Sequence, residues 1–312
     1  MRWRNCGLIY DCFTYYNEME LLELRLRTLS GVVDFFVLVE ADRTFSGKKR
    51  EFHFAANCEK FAAFAPQIIY IQVTDMPEVK NDWNLQHFQR NCILRGLSGC
   101  APDDLVLVSE VDEIPHPDAI RTLLTHPEGR RLLQKHPVAF DLRAYFYYVN
   151  CARDRLMPGT VAILYKKLTQ PELMRTIRDR APRIGDAGWH FSYMGGPERI
   201  LQKIEFLGHG KKPGANATST MPTLELIRSS MESGTSDAHN DNGDHYRFLC
   251  MEDGYPAYMP TLVAKYPYLY RHVENAAAPA AVFVHKSDRL FYNFSRWYWY
   301  LLKCRLLNRC PY

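Results

Sequence analysis

The chain has 312 residues, 47% of them apolar and 24% charged, a balance that excludes an intrinsically disordered protein. A net charge of +4, with no basic block in the first two thirds, gives no reason to expect nucleic-acid binding. No apolar run reaches the ~18 residues that span a bilayer, and the nine cysteines are odd in number and lack zinc-knuckle spacing.

Residues 8–13 read as a first strand. Asn17 then stands as a helix cap with Glu20 three residues on, the pattern of a capping box. Met19, Leu22, Leu26 and Leu29 form one helical stripe, and Gly31 ends it. Residues 32–40 and 67–73 read as buried strands. Residues 83–97 read as a helix with Leu85, Phe88 and Cys92 on one face, followed by a strand at 105–109. Cys12 and Cys92 fall in apolar patterns and read as reduced core residues. This alternation predicts an α/β fold with a central, mostly parallel sheet flanked by helices. After Pro115 the pattern changes to a short helix at 117–124 and short strands at 138–140, 145–149 and 161–165. Those strands suit a mixed extension. A helix follows at 195–206. Residues 211–245, rich in Gly, Ser, Thr, Asn and Asp, read as a lid-like loop with one helical piece at 224–231.

The most telling stretch is the strand at 105–109 running into Glu110-Val111-Asp112-Glu113-Ile114-Pro115. Ligands of open α/β sheets bind beyond the carboxyl ends of such strands. In extended chain, residues i and i+2 share a side, so Glu110 and Asp112 point together. Two hard oxygen ligands suit Mg2+ or Mn2+ shared with substrate phosphates. The other reading is an acidic helix start ahead of Pro117.

Several ordered motifs resemble glycosyltransferase family 17. They are Ile9-Tyr10-Asp11-Cys12-Phe13, the run 17–25, the run 33–40, Thr44-Phe45-Ser46-Gly47-Lys48, the run 109–115, and Gly188-Trp189-His190-Phe191-Ser192-Tyr193. The resemblance covers roughly residues 5–270 and includes the enzymes that add the bisecting N-acetylglucosamine to N-glycans. It implies a GT-A-like nucleotide-sugar fold, a UDP-sugar donor such as UDP-GlcNAc, a divalent metal (Mn2+ or Mg2+), a glycan acceptor and inversion at the anomeric carbon. One domain is expected over 5–270, with a nucleotide-binding half to about 115 and an acceptor half beyond. The family pattern opens its metal site with Asp where this chain has Glu110, so Asp112 is the safer direct ligand. The membrane anchor of the animal members is not seen at the N-terminus. This predicts a cytoplasmic enzyme of surface-glycan synthesis.

Within that frame Asp112 and Glu110 hold the metal, joined by His190 or His209. A core histidine or a plain turn is the other reading of each. A base must take the acceptor proton from within hydrogen-bond reach. Asp186 comes first, then Glu198 and Glu205, although Glu198 also suits a first-turn helix acid. Trp189 stacks on a sugar or belongs to the core. Glu40, Thr44 and Lys48 follow the second strand, where the donor base should dock. Arg90 and Lys203 meet a phosphate or a carboxylate, or lie on solvated helix faces. Residues 271–312 form a basic aromatic extension. There Arg296 and Lys303 among Trp297, Tyr298 and Trp299 suit either peripheral membrane contact or packing on the core. A nucleotidyltransferase would want a glycine-rich loop after the first strand, and residues 11–17 hold no glycine. A non-catalytic glycan binder on the same fold is the third class.

Overall fold

The computed structural model describes residues 7–78, 82–207, 221–235, 246–251, 254–274, 276–277 and 290–306. Its first half runs β1 (Ile9–Tyr15), α1 (Met19–Leu29), β2 (Phe35–Ala41), β3 (Ile68–Val73), α2 (Asp82–Asn91), β4 (Leu105–Glu110) and β5 (Glu113–Pro115). Then come α3 (Pro117–Thr125), α4 (Pro127–Leu133), β6 (Val138–Phe146), β7 (Cys151–Leu164), α5 (Pro171–Ile177), β8 (Arg183–Ile184) and β9 (Gly188–Ser192). The remainder is α6 (Pro197–Leu207), α7 (Leu224–Ser233), β10 (Tyr246–Phe248), α8 (Met259–Lys265), β11 (Phe291–Tyr292) and α9 (Phe294–Leu306).

β1 lies between β2 and β4, parallel to both, and β2 pairs parallel with β3. Both faces of β1, β2 and β4 are covered, which explains their unbroken apolar runs, whereas β3, expected to be buried, is the edge strand and buries only Val73. Phe13, Phe36, Leu38 and Leu107 face α1, whose Leu22, Leu26 and Leu29 are fully buried in the same cluster. Their neighbours Cys12, Val37, Val39, Val106 and Val108 face the opposite way, with Leu85 and Cys92. Cys12 and Cys92 are buried free thiols, in keeping with the sequence pattern.

Beyond β4 the sheet is mixed rather than mostly parallel. β7 is antiparallel to β4 and to β6, while β8 and β9 run parallel to β6. Only residues 147–150 join β6 to β7, and a parallel pair needs a crossover of about a dozen residues. The expected pieces at 138–140 and 145–149 are one strand to Phe146, and 161–165 is the end of the long β7. β11, from the C-terminal extension, pairs with β8 and so joins the same sheet.

Three local expectations change. α1 starts at Met19 with Glu18 at its cap, and no capping box forms. The Glu18 carboxylate instead accepts the N–H groups of Tyr16 and Asn17, and Glu20 pairs with Arg199 at 2.7 Å. α2 ends at Asn91 and tightens to a 3-10 helix over Cys92–Leu97. α6 begins at Pro197, because Gly195 and Gly196 adopt φ of 101° and 91°, outside the helical range. α9 packs Trp297 into the core and leaves Tyr298 and Trp299 exposed. Among the described residues no helix is long and apolar enough to cross a membrane.

Candidate active site

Residues 110–113 leave β4 as a short acidic turn, and a buried arginine holds that turn in place. Arg25, on α1, is fully buried and binds Asp11 through two hydrogen bonds of 2.7 and 2.6 Å. Its remaining N–H groups donate to the carbonyls of Glu110 (2.9 Å), Val111 (3.3 Å) and Glu113 (2.7 Å) and to Ser109 Oγ (2.5 Å). A guanidinium presents its donors in a rigid fork, so these bonds set the direction of the backbone.

β5 then pairs with β9, which sets Glu113 opposite His190. The approach is close: a Cβ on Gly188 would meet Ile114 O at 2.3 Å, and its φ of 150° is open to glycine. Asp112 is thereby buried, with Oδ2 2.8 Å from Lys203 Nζ and Oδ1 3.7 Å from His190 Nε2. Lys203 Nζ also lies 3.1 Å from Glu18. Burial opposes the Asp112 charge, but Lys203 and His190 outweigh it and hold the carboxyl well below its usual range. Burial likewise opposes the Lys203 charge, and Asp112 with Glu18 overrides it and pushes the ammonium up.

Glu110 has both oxygens engaged. Oε1 accepts from Arg90 Nε (3.1 Å) and Nη2 (2.5 Å), and Oε2 accepts from the Thr14 hydroxyl. Arg90 also binds Glu172 of α5. Glu113 is buried and accepts from Arg175 and, at 3.2 Å, from Arg178. Burial raises its pKa, yet the two guanidiniums win and bring it from 4.5 to about 2. Because the folded value is the lower one, this stabilisation is complete above about pH 4.5 and is lost as the pH falls towards 2. We therefore expect the melting-temperature gap between wild type and Glu113→Gln to shrink through that window. A gap independent of pH would show that the arginines do not stabilise the charged form.

Glu110, Arg90, Glu172, Arg175 and Arg178 line, with Asp112, His190 and Lys203, a cavity of about 380 Å³ at the carboxyl end of β4, and Glu113 lies behind its lining. One wall is aromatic: Phe206 stacks on Tyr16 at 3.9 Å and meets Phe45 at 4.5 Å. The Arg50 guanidinium backs Tyr16 at 4.5 Å.

Of the residues singled out from sequence, Glu110, Asp112, His190, Arg90 and Lys203 line this one cavity. The others lie elsewhere. Glu40 is fully buried and bound by Arg50, Tyr70 and the amides of His53 and Phe54. Thr44 accepts from the Lys48 amide at 3.0 Å within its own loop, where Lys48 is exposed. Glu198 is exposed and paired with Arg228, and Glu205 is exposed on the same helix. Trp189 and Asp186 line a second cavity. Successive strand residues face opposite sides, so Trp189 turns away from the cavity that His190 enters. His209 lies outside the described residues, as does most of the expected lid. Sequence reasoning missed Glu18, Glu172, Arg175, Arg178 and the aromatic wall. The signals were the family motifs that contain Glu18 and Phe45, and the i, i+3 spacing of the two arginines, which puts both on one helix face.

Among the described residues no group of three His, Cys, Asp or Glu side chains could hold a metal ion. Asp112 and His190 form a carboxylate–imidazole pair, and Glu110 is committed elsewhere. That donor set fits a divalent cation that takes its other ligands from a substrate phosphate, as Mg2+ and Mn2+ commonly do.

The chain is similar to known proteins in sequence and matches one family model. The beta-1,4-mannosyl-glycoprotein 4-beta-N-acetylglucosaminyltransferases of Rattus norvegicus and Homo sapiens are each 24% identical over 261 residues. The alignments cover 72% of this chain and 47% and 48% of those proteins, so the chain spans about half the length of these relatives. Among solved structures, a mannosyltransferase from Pyrobaculum calidifontis in complex with GDP-Man and Mn2+ overlays with a TM-score of 0.35 at 11% identity, covering 74% of each chain. That likeness is too slight to carry an argument. The model of glycosyltransferase family 17 matches residues 2–206, two thirds of the sequence and the whole of the cavity's lining, and the chain belongs to that family.

Proposed function

We propose that the chain is a metal-dependent, inverting glycosyltransferase of GT-A type that moves N-acetylglucosamine from UDP-GlcNAc to a hydroxyl of a glycan acceptor. The observation that carries this reading is the buried Asp112, next to His190 and Lys203, at the carboxyl end of a central parallel strand. Family membership supports the reaction class, and the matched relatives' names support the sugar. A divalent cation, when bound, neutralises charge on the departing diphosphate, and Asp112 and His190 are the residues that would hold it. Glu110 stays with Arg90 and Thr14 and orients the strand end.

The remaining work falls to the protein's own groups. In an inverting transfer the acceptor oxygen bonds to the anomeric carbon as the bond to the diphosphate breaks, and a base receives the acceptor's proton. The carboxylate we assign is Glu18, which lines the cavity beside Lys203, in place of Asp186. Arg175 and Arg178 share the single carboxylate of Glu113, and Asp179 stands 4.0 Å from Arg178. Burial and the neighbouring Arg175 push the Arg178 pKa down, so an incoming anion relieves that repulsion. Both arginines line the cavity, which supports a diphosphate docking against them. The Tyr16–Phe206–Phe45 wall offers a face for the nucleobase.

The test of function is UDP release from UDP-GlcNAc, with and without Mn2+, in the presence of a glycan acceptor. No UDP release under any metal would sink the reading. Within it, Arg178→Gln is expected to weaken UDP binding about tenfold, the worth of one hydrogen bond to a charged group. Uridine, which lacks the phosphates, should bind the variant and the wild type equally in a calorimetric titration. An equal loss for both ligands would move Arg178 away from the diphosphate.

A further inference from the structure

We propose that the second cavity, on the other side of β9 from Asp112, is a saccharide-binding site for one neutral hexopyranose ring. The choice of ligand class rests on the reading of the chain as a glycan-modifying enzyme; the site itself rests on its geometry.

The cavity measures about 260 Å³, which is closer to the size of one sugar ring than to that of a nucleotide. Its aromatic floor is fixed. Trp189 is almost fully buried, and its indole N–H donates to Gly254 O at 2.7 Å. The His116 ring lies over the indole at 5.0 Å, tilted by 32°, and its side chain is 38% exposed. Burial lowers the His116 pKa and so favours the neutral ring. The accessible ring is therefore the His116 imidazole, backed by the buried indole, and its flat face suits the apolar C–H face of a sugar.

The polar wall is equally defined. Arg143 binds Asp186 through two parallel bonds of 2.6 Å, and Arg121 binds Asp118 at 2.6 Å. Each carboxylate in the cavity thus has a guanidinium partner. A charged sugar would have to break one of these pairs, whereas hydroxyls, which both donate and accept, can bond at their edges. A neutral ring therefore fits the site better than a charged one. Asp186 also sits at φ 47°, a conformation uncommon for a residue other than glycine. Such residues persist where the surroundings over-determine them, and they cluster at ligand clamps. β9 carries both Trp189 and His190, so the two cavities share a strand.

The experiment is saturation-transfer NMR on the intact protein with the methyl glycosides of mannose, galactose, glucose and N-acetylglucosamine. It is run with and without saturating UDP. We expect at least one glycoside to receive transfer that survives UDP. That signal should fall about tenfold in Asp186→Asn and in His116→Ala. Asn tolerates the left-handed conformation and His116 is partly exposed, so both variants should fold, which circular dichroism checks. Transfer from none of the four glycosides overturns the proposal. So does transfer removed by UDP, which would belong to the Asp112 cavity, or transfer unchanged in both variants. UDP binding is read in a separate titration, so failure of the enzymatic reading is distinguishable from failure of this site.

Discussion

Asp112→Asn is expected to lower UDP release from UDP-GlcNAc by about 10²–10³-fold, the cost of removing one preorganised electrostatic group from a reacting centre. The substitution keeps shape and removes charge, so what is lost is the partner of Lys203 and the carboxylate of the carboxylate–imidazole pair. Lys203 keeps Glu18 at 3.1 Å, which should let the variant fold. UDP release measured across a Mn2+ series separates two explanations. If Asp112 holds the cation, the variant should need far more Mn2+ for any residual activity. If wild type and variant release UDP equally, Asp112 has no part in the chemistry.

Arg25→Ala is expected to destabilise the protein by about 3–5 kcal/mol, because it strands the carboxylate of Asp11 in the core without a partner. That is a large share of the roughly 5–15 kcal/mol that holds a domain folded. The loss includes three carbonyls of the acidic turn, so activity should fall even at temperatures where the variant is folded. Urea denaturation measures the first effect, and UDP release well below the melting temperature measures the second. The double variant Arg25→Met, Asp11→Leu tests the cause. Replacing both charges by apolar groups should restore much of the stability and little of the activity. Recovery of both would mean that Arg25 is a core residue with no role in shaping the turn.

Several parts of this arrangement could be read from residue order. Strands buried on both faces are written as continuous apolar runs, so β1, β2 and β4 stood out, and α1 and α2 stood out by their helical stripes; β3 was legible from its short apolar run although it is an edge strand that buries only Val73, and the 3-10 segment Ala55–Gln67 before it was not read. The acids after β4 and Gly188-Trp189-His190 stood out as well, and the cavity is lined by Glu110, Asp112 and His190. Arg25 did not. It occupies the position of an ordinary helix arginine, and only its depth beneath the sheet end makes it a structural tie. Asp186 lies apart from the other candidates for another reason. Its nearness in sequence to His190 suggested a shared site, but the alternation of β9 sends Trp189 and His190 to opposite sides, and Asp186 lines the cavity on the Trp189 side. The later strands were obscured because β6 and β7 are long, bulged and joined by four residues, so their pattern breaks into pieces that look like separate short strands.

The order of amino acids alone determined the parallel α/β half and the acidic strand end, since both depend on local periodicity and on chemistry confined to a few consecutive residues. Tertiary structure decided which cation meets which acid: Lys203 to Asp112, Arg90 to Glu110, Arg175 and Arg178 to Glu113. Those pairings join residues 20 to 91 positions apart. Coulomb attraction depends on distance through space and on burial, and neither quantity is written in the chain until it folds.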